Sequence, residues 1–167
     1  WITTSVTSMK AMFKNAVVFD QELAYDGAEE YWSTDSVTDM SEMFSSDYPL
    51  TPMIFNGDIT DWDTSAVVNM NSMFMNNTTF VQEIGSWDTS SVVDMSGMFL
   101  NASGFDGEII EWNTSNVTTM NSMFKNAVAF NQDINYDETE EYWDVSGVKD
   151  MAAMFYSEGD AMVFNGD

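Results

Sequence analysis

Hydrophobic residues recur along this chain in one fixed order. Trp is followed by Val five residues on, Met three later, a Met-Phe pair three after that, a second Phe six further, and Ile or Leu four beyond. The plainest copy runs from Trp87 to Ile109, WDTSSVVDMSGMFLNASGFDGEI. The Trp residues stand at Trp1, Trp32, Trp62, Trp87, Trp112 and Trp143, so the basic unit is 25 residues with insertions in some copies. A period of this kind is the signature of stacked repeats and not of one globular core.

Val, Met, Met and Phe fall at i, i+3, i+6 and i+7, which predicts a short helical or 3₁₀ segment with one apolar side. The Thr-Ser pair before Val (Thr64-Ser65, Thr89-Ser90, Thr114-Ser115) occupies the place of an N-cap or turn. The stretch from the second Phe to the next Trp, such as FNGDITDW at 55–62, reads as a short strand. The expected fold class is therefore an α/β repeat. It is a leucine-rich-repeat-like right-handed solenoid of about six 25-residue strand-plus-short-helix units, with a parallel sheet of strands about 4.8 Å apart. The units are 1–31, 32–61, 62–86, 87–111, 112–142 and 143–167.

A longer period lies above the first. Residues 1–32 and 112–143 match at 19 of 32 positions, including MFKNAV in both. Units one and five share one insertion type, units two and six another, and units three and four are plain. The expectation is a four-unit super-repeat, from a longer array or a stacked polymer. Neither end of the chain carries a polar capping unit, a pattern that calls for further coils or neighbouring chains on both faces. Head-to-tail stacking that does not close gives a filament.

Three runs, WDTSAVVNMNSMFMNNTTFVQEI (62–84), WDTSSVVDMSGMFLNASGFDGEI (87–109) and WNTSNVTTMNSMFKNAVAFNQDI (112–134), resemble the BspA-type leucine-rich-repeat surface proteins, in the Trp/Met-Phe variant of bacterial surface lipoproteins. The resemblance covers nearly the whole chain. It implies extracellular display, adhesion or recognition, no enzymatic activity, and no catalytic residues to carry over. The extended units at 24–32, 45–54, 135–142 and 156–163 depart from the pattern.

Composition narrows the partners. Four lysines face 28 acidic residues, with no His, for a net charge of −24. Such a field repels nucleic-acid phosphates and anionic membrane surfaces. Hydrophobic residues at 44% still suffice for a core. The acidity has two readings, a surface adapted to a salty medium and a set of specific cation sites. No Cys is present, which removes disulfides and zinc–thiolate sites. No run is long and apolar enough to predict a transmembrane helix.

Candidate chemistry is sparse. Asp26, Glu29 and Glu30 recur as Asp137, Glu140 and Glu141, each set flanked by tyrosines. These hard oxygen ligands are candidates for Ca²⁺, the one cofactor implied, against a plain solvated loop. Sequons make Asn76, Asn77, Asn101, Asn113 and Asn116 candidate glycosylation sites. The Met ladders read as core, with soft-metal binding the rival reading. The Trp residues read as packing between units, with carbohydrate stacking as the rival. With no His, no Cys and no phosphate-cradling loop, no enzymatic activity is expected. Two functions follow as expectations: an extracellular structural protein polymerising end to end into a surface filament, or an adhesin module that recognises a glycan or protein through its sheet face or inserted loops.

Overall fold

The computed structural model describes residues 2–23, 32–48, 50–134, 143–159 and 162–165. Its repeats do stack, one coil per unit, but they are not built as the periodicity suggests. The described residues contain no helix and no extended strand, only turns and six isolated parallel bridges. The strand-plus-helix, leucine-rich-repeat-like solenoid with a parallel sheet is therefore overturned.

The reason lies between the two Met ladders. The residue before the second Met, namely Ala11, Glu42, Ser72, Gly97, Ser122 or Ala153, has φ between 54° and 61°. A helix cannot pass through a left-handed residue. The segment instead forms overlapping turns. In the third coil Met73 donates to the Met70 carbonyl, Met75 to Ser72 and Asn77 to Phe74, at 3.0–3.2 Å. Ser72 and Asn76 are the third residues of the outer two turns, and both have positive φ, as type II geometry requires. Turns of this kind repeat the i, i+3 spacing of a helix, so the apolar pattern alone cannot separate the two.

The turns leave alternate peptide groups free to point along the stack. Met70, Ser72, Phe74 and Asn76 donate to Asp94, Ser96, Met98 and Leu100 of the next coil, at 2.8–2.9 Å. Met95, Gly97, Phe99 and Asn101 repeat this toward Thr119, Asn121, Met123 and Lys125, at 2.8–3.1 Å. All five coil interfaces carry the same four bonds, always from the earlier coil's N–H to the later coil's C=O. Fewer bonds run the other way, and every interface has one from the residue after the ladder Val, as from Val93 to Val68 at 2.9 Å.

The opposite side of each coil was expected to be a sheet. There, side chains bridge the coils instead. Asp20 accepts from the Asn56 N–H at 2.8 Å, Asn56 from Val81 at 2.9 Å and Asp106 from Asn131 at 2.8 Å. Gly57 lets the chain approach closely: a Cβ there would sit 2.6 Å from the Gln21 carbonyl oxygen and 2.8 Å from the Phe55 ring.

Ladder residues fill the interior. The Val, Met, Phe and Ile ladder side chains of coils two to four are fully buried. Phe44, Phe74, Phe99 and Phe124 stack along the axis with centroids 5.5–5.8 Å apart, and each also stacks on the second Phe of its own coil at 3.9–4.1 Å. These are offset-stacked separations, which add to the stabilisation from area burial. The buried Met ladder side chains fill the rest of this interior, as gap-filling thioethers do.

Candidate functional site

The recurring WDTS run is an inter-coil fastening, and each residue has its own partner. The Trp87 indole N–H reaches back to the Ile59 carbonyl at 3.1 Å, Trp112 to Ile84 at 3.0 Å and Trp143 to Ile109 at 2.9 Å. Asp63 and Asp88 accept from the backbone N–H two residues on, at 3.0 and 2.9 Å, as Asx turns do. The buried Thr64, Thr89 and Thr114 donate forward to carbonyls of the next coil at 2.9–3.0 Å. Among the described residues the Trp faces are covered by neighbours, with Trp62 and Trp87 stacked at 6.4 Å. Trp62 is 5% exposed and Trp87 2%, which leaves no free ring face for a sugar to stack on.

A second fastening was missed in the sequence. Asn15, Asn76, Asn101 and Asn126 follow Met-Phe by two residues, and all have φ of 58–63°. Asn tolerates this region better than other residues with a Cβ. The Asn101 amide N–H donates to the Asn76 side-chain oxygen at 2.7 Å, and Asn126 donates to Asn101 at 2.8 Å. Asn76 itself donates to the Ser46 carbonyl at 2.5 Å. The available signal was Asn at a fixed offset in four of six copies.

That column bears on the sequons. Glycosylation uses the amide nitrogen, and in Asn76, Asn77 and Asn101 that atom is engaged between coils. Asn76 and Asn77 are buried, and the Asn77 amide donates to the Phe55 carbonyl at 2.9 Å. Asn113 is half-buried and uses its oxygen to accept from Ser115. Asn116 is exposed, with its amide donating to the Ser90 carbonyl at 2.8 Å. Asn116 is thus the exposed sequon, although its amide nitrogen is also engaged between coils. The calcium candidates Asp26, Glu29, Glu30, Asp137, Glu140 and Glu141 lie outside the described residues, and no group of three or more metal-ligating side chains occurs among the described ones.

Two open grooves mark the surface. One, of about 410 Å³, is lined by Thr4, Trp32, Asp35, Asp61, Trp62 and Asp63. The other, of about 440 Å³, is lined by Glu83, Asp106, Glu108, Glu111 and Gln132. Carboxylates in both are used within the fold, as where Glu83 accepts from the Glu108 N–H at 2.9 Å. Asp58 and Asp144 are held below the ordinary carboxylate range by N–H donors from Thr60 and Ser146.

Lysines clamp the insertions. Lys14 pairs with Glu42 and lies 2.8 Å from Asp47, while the Asn15 oxygen accepts from the Asp47 N–H at 2.9 Å. The same pair recurs 111 residues later. Lys125 lies 2.6 Å from Glu158, and Asn126 accepts from the Glu158 N–H at 2.8 Å. Hydrogen bonds donated to Asp47 and Glu42 raise the Lys14 pKa, and the same bond from Lys14 lowers that of Asp47.

The fold and its fastenings define a repeat protein whose polar residues serve coil-to-coil contact. Its sequence matches the family described as "Mycoplasma protein of unknown function, DUF285" over residues 1–85 and 48–165. The chain belongs to that family. No curated protein and no solved structure matches it.

Proposed function

We propose that this chain is a non-enzymatic structural element of a cell exterior, an acidic stack of coils that extends end to end into a surface filament. The supporting observation is the translational sameness of the coil interfaces. Each coil offers four N–H groups forward and four carbonyls backward, so the forward face of any coil fits the backward face of any other. Met151, Ala153 and Phe155 of the sixth coil stand at the repeat positions of the donors, and Ser8, Lys10 and Met12 of the first at those of the acceptors. Surface display rests on the resemblance to BspA-type surface proteins. Electron microscopy of the purified chain at high concentration and in salt tests the proposal. Rods many times longer than one six-coil stack are expected, and monodisperse short particles contradict it.

An adhesin role is the second reading, favoured by the clamped insertion of the second coil. Tyr48 is 63% and Leu50 95% exposed on a segment fastened by Lys14, Asn15 and Ser46. Saturable binding of a glycan or protein, lost on Tyr48→Ser with Leu50→Ser, would favour this reading.

A further inference from the structure

The charge of this protein is segregated around the coil. One arc comprises residues 4–17, 35–48, 65–78, 90–103, 115–128 and 146–159, the turn-ladder side of each coil. It holds all four lysines and seven of the 28 carboxylates, a net charge of −3. Among the described residues, 12 further carboxylates lie outside it with no compensating base. Two copies carrying −24 each repel on contact unless they meet through the near-neutral arc. Meeting there puts the acidic sides far apart relative to a Debye length of about 8 Å.

We propose that this arc is a lateral docking face for a second copy of the chain, packed antiparallel about a two-fold axis between coils three and four. Charge along the arc selects this arrangement. The first coil carries Lys10 and Lys14, and the second Asp35, Asp39, Glu42 and Asp47. The third is uncharged, the fourth carries only Asp94 and the fifth only Lys125. The sixth holds Lys149 against Asp150 and Glu158. In register and antiparallel, positive coil one meets negative coil six, negative coil two meets positive coil five, and neutral coil three meets coil four. No coil then faces one of like sign. Parallel packing sets each charged coil against its own copy, and an antiparallel slip of one coil opposes coils two and four, both negative. A two-fold contact of this kind is self-complementary and closes at two copies.

The surface suits the role. Its centre carries Val68 at 43% and Val93 at 37% exposure, which face each other across the axis. Around them the polar side chains are already tied down. Asn71 donates to the Ser96 carbonyl at 2.8 Å, Asn116 to Ser90 at 2.8 Å and Thr118 to Val93 at 3.2 Å. Little side-chain freedom remains to be lost on docking. Six coils at about 4.8 Å give a face roughly 29 Å long, and a width of at most about 20 Å limits it to roughly 600 Å² per copy. That is the size of a weak, reversible interface.

Sedimentation velocity on the 167-residue chain across concentration and salt tests the proposal. A reversible species of twice the monomer mass is expected, with a micromolar to millimolar dissociation constant. Val68→Asp with Val93→Asp should weaken it at least about tenfold, and Val93→Asp alone severalfold, while the same single charge on the acidic side, Ser86→Asp, should not. Both Val side chains are partly exposed, so far-ultraviolet circular dichroism should match wild type. The chain has no cysteine, which gives a clean test of orientation. A mixture of Thr38→Cys and Thr118→Cys should form the mixed disulfide, and neither variant alone should cross-link. Monomers throughout, dimers indifferent to the paired Asp substitutions, or disulfides within either variant alone would overturn the proposal. So would neutral-polysaccharide binding by a chain that does not self-associate. End-to-end rods alone produce neither the mixed disulfide nor the Val68/Val93 effect.

Discussion

Replacing Asn101 probes the amide column at its centre. Asn101→Ala removes the bond to Asn76 at 2.7 Å and the bond from Asn126 at 2.8 Å. At about 1 kcal/mol net each, the two bonds account for about 2 kcal/mol. The Asn76 oxygen, on a residue 4% exposed, loses its donor, which adds about 1 kcal/mol. Alanine must also hold φ at 59°, a further cost of about 1 kcal/mol. The expected loss is about 4 kcal/mol for Asn101→Ala and about 3 for Asn101→Gly, which loses the same bonds without the backbone strain. Urea unfolding followed by Trp fluorescence measures both, and a fall of roughly 8–16 °C in Tm should accompany the larger loss. If alanine costs no more than glycine, or either costs under about 1 kcal/mol, the column and its left-handed backbone do not hold the coils as described.

Four further outcomes are expected. Thr89→Val keeps the shape but leaves the part-buried Asn113 carbonyl without its 3.0 Å donor, and should cost about 1 kcal/mol in the same urea assay. Gly57→Ala should be strongly destabilising, because its Cβ meets backbone 2.6 Å away, whereas Gly159→Ala, with nothing within 4 Å, should leave Tm unchanged. The Asp47 carboxyl should titrate below 3.8 by carbon NMR and return toward it in Lys14→Met. Because the folded pKa is depressed, the clamp's contribution is full above 3.8 and is lost as pH falls through the folded value. The raised Lys14 pKa adds a contribution that is present below 10.5 and lost as pH rises through its folded value. Added sodium chloride should raise Tm, since it screens repulsion within a net charge of −24, including 12 described carboxylates with no basic neighbour in their arc.

Much of this architecture is legible in the sequence, and the illegible part has a physical cause. The ladders of Trp, Val, Met and Phe identify the buried residues, and the 25-residue period gives the coil. The local conformation was hidden because turns with a left-handed third residue place side chains at i and i+3, as a helix does. Among the six residues that take this φ between the Met ladders, only Gly97 is a glycine, so the usual marker is missing. The FNGDITDW stretch reads as a short strand, yet Asp20 and Asn56 side chains make the inter-coil bonds that a sheet would make by backbone. Reading Asn76 and Asn101 as sequons hid their structural use. Composition states the net charge but not its segregation, which appears only once the units are wound into coils.

The account depends most on the one-directional backbone ladder. Scalar couplings across hydrogen bonds, read by NMR on the uniformly ¹⁵N,¹³C-labelled chain, test it directly. Couplings are expected from the N–H groups of Met95, Gly97, Phe99 and Asn101 to the carbonyls of Thr119, Asn121, Met123 and Lys125. Couplings from Phe99 and its neighbours to carbonyls four residues earlier would mean helical turns, and would contradict the account.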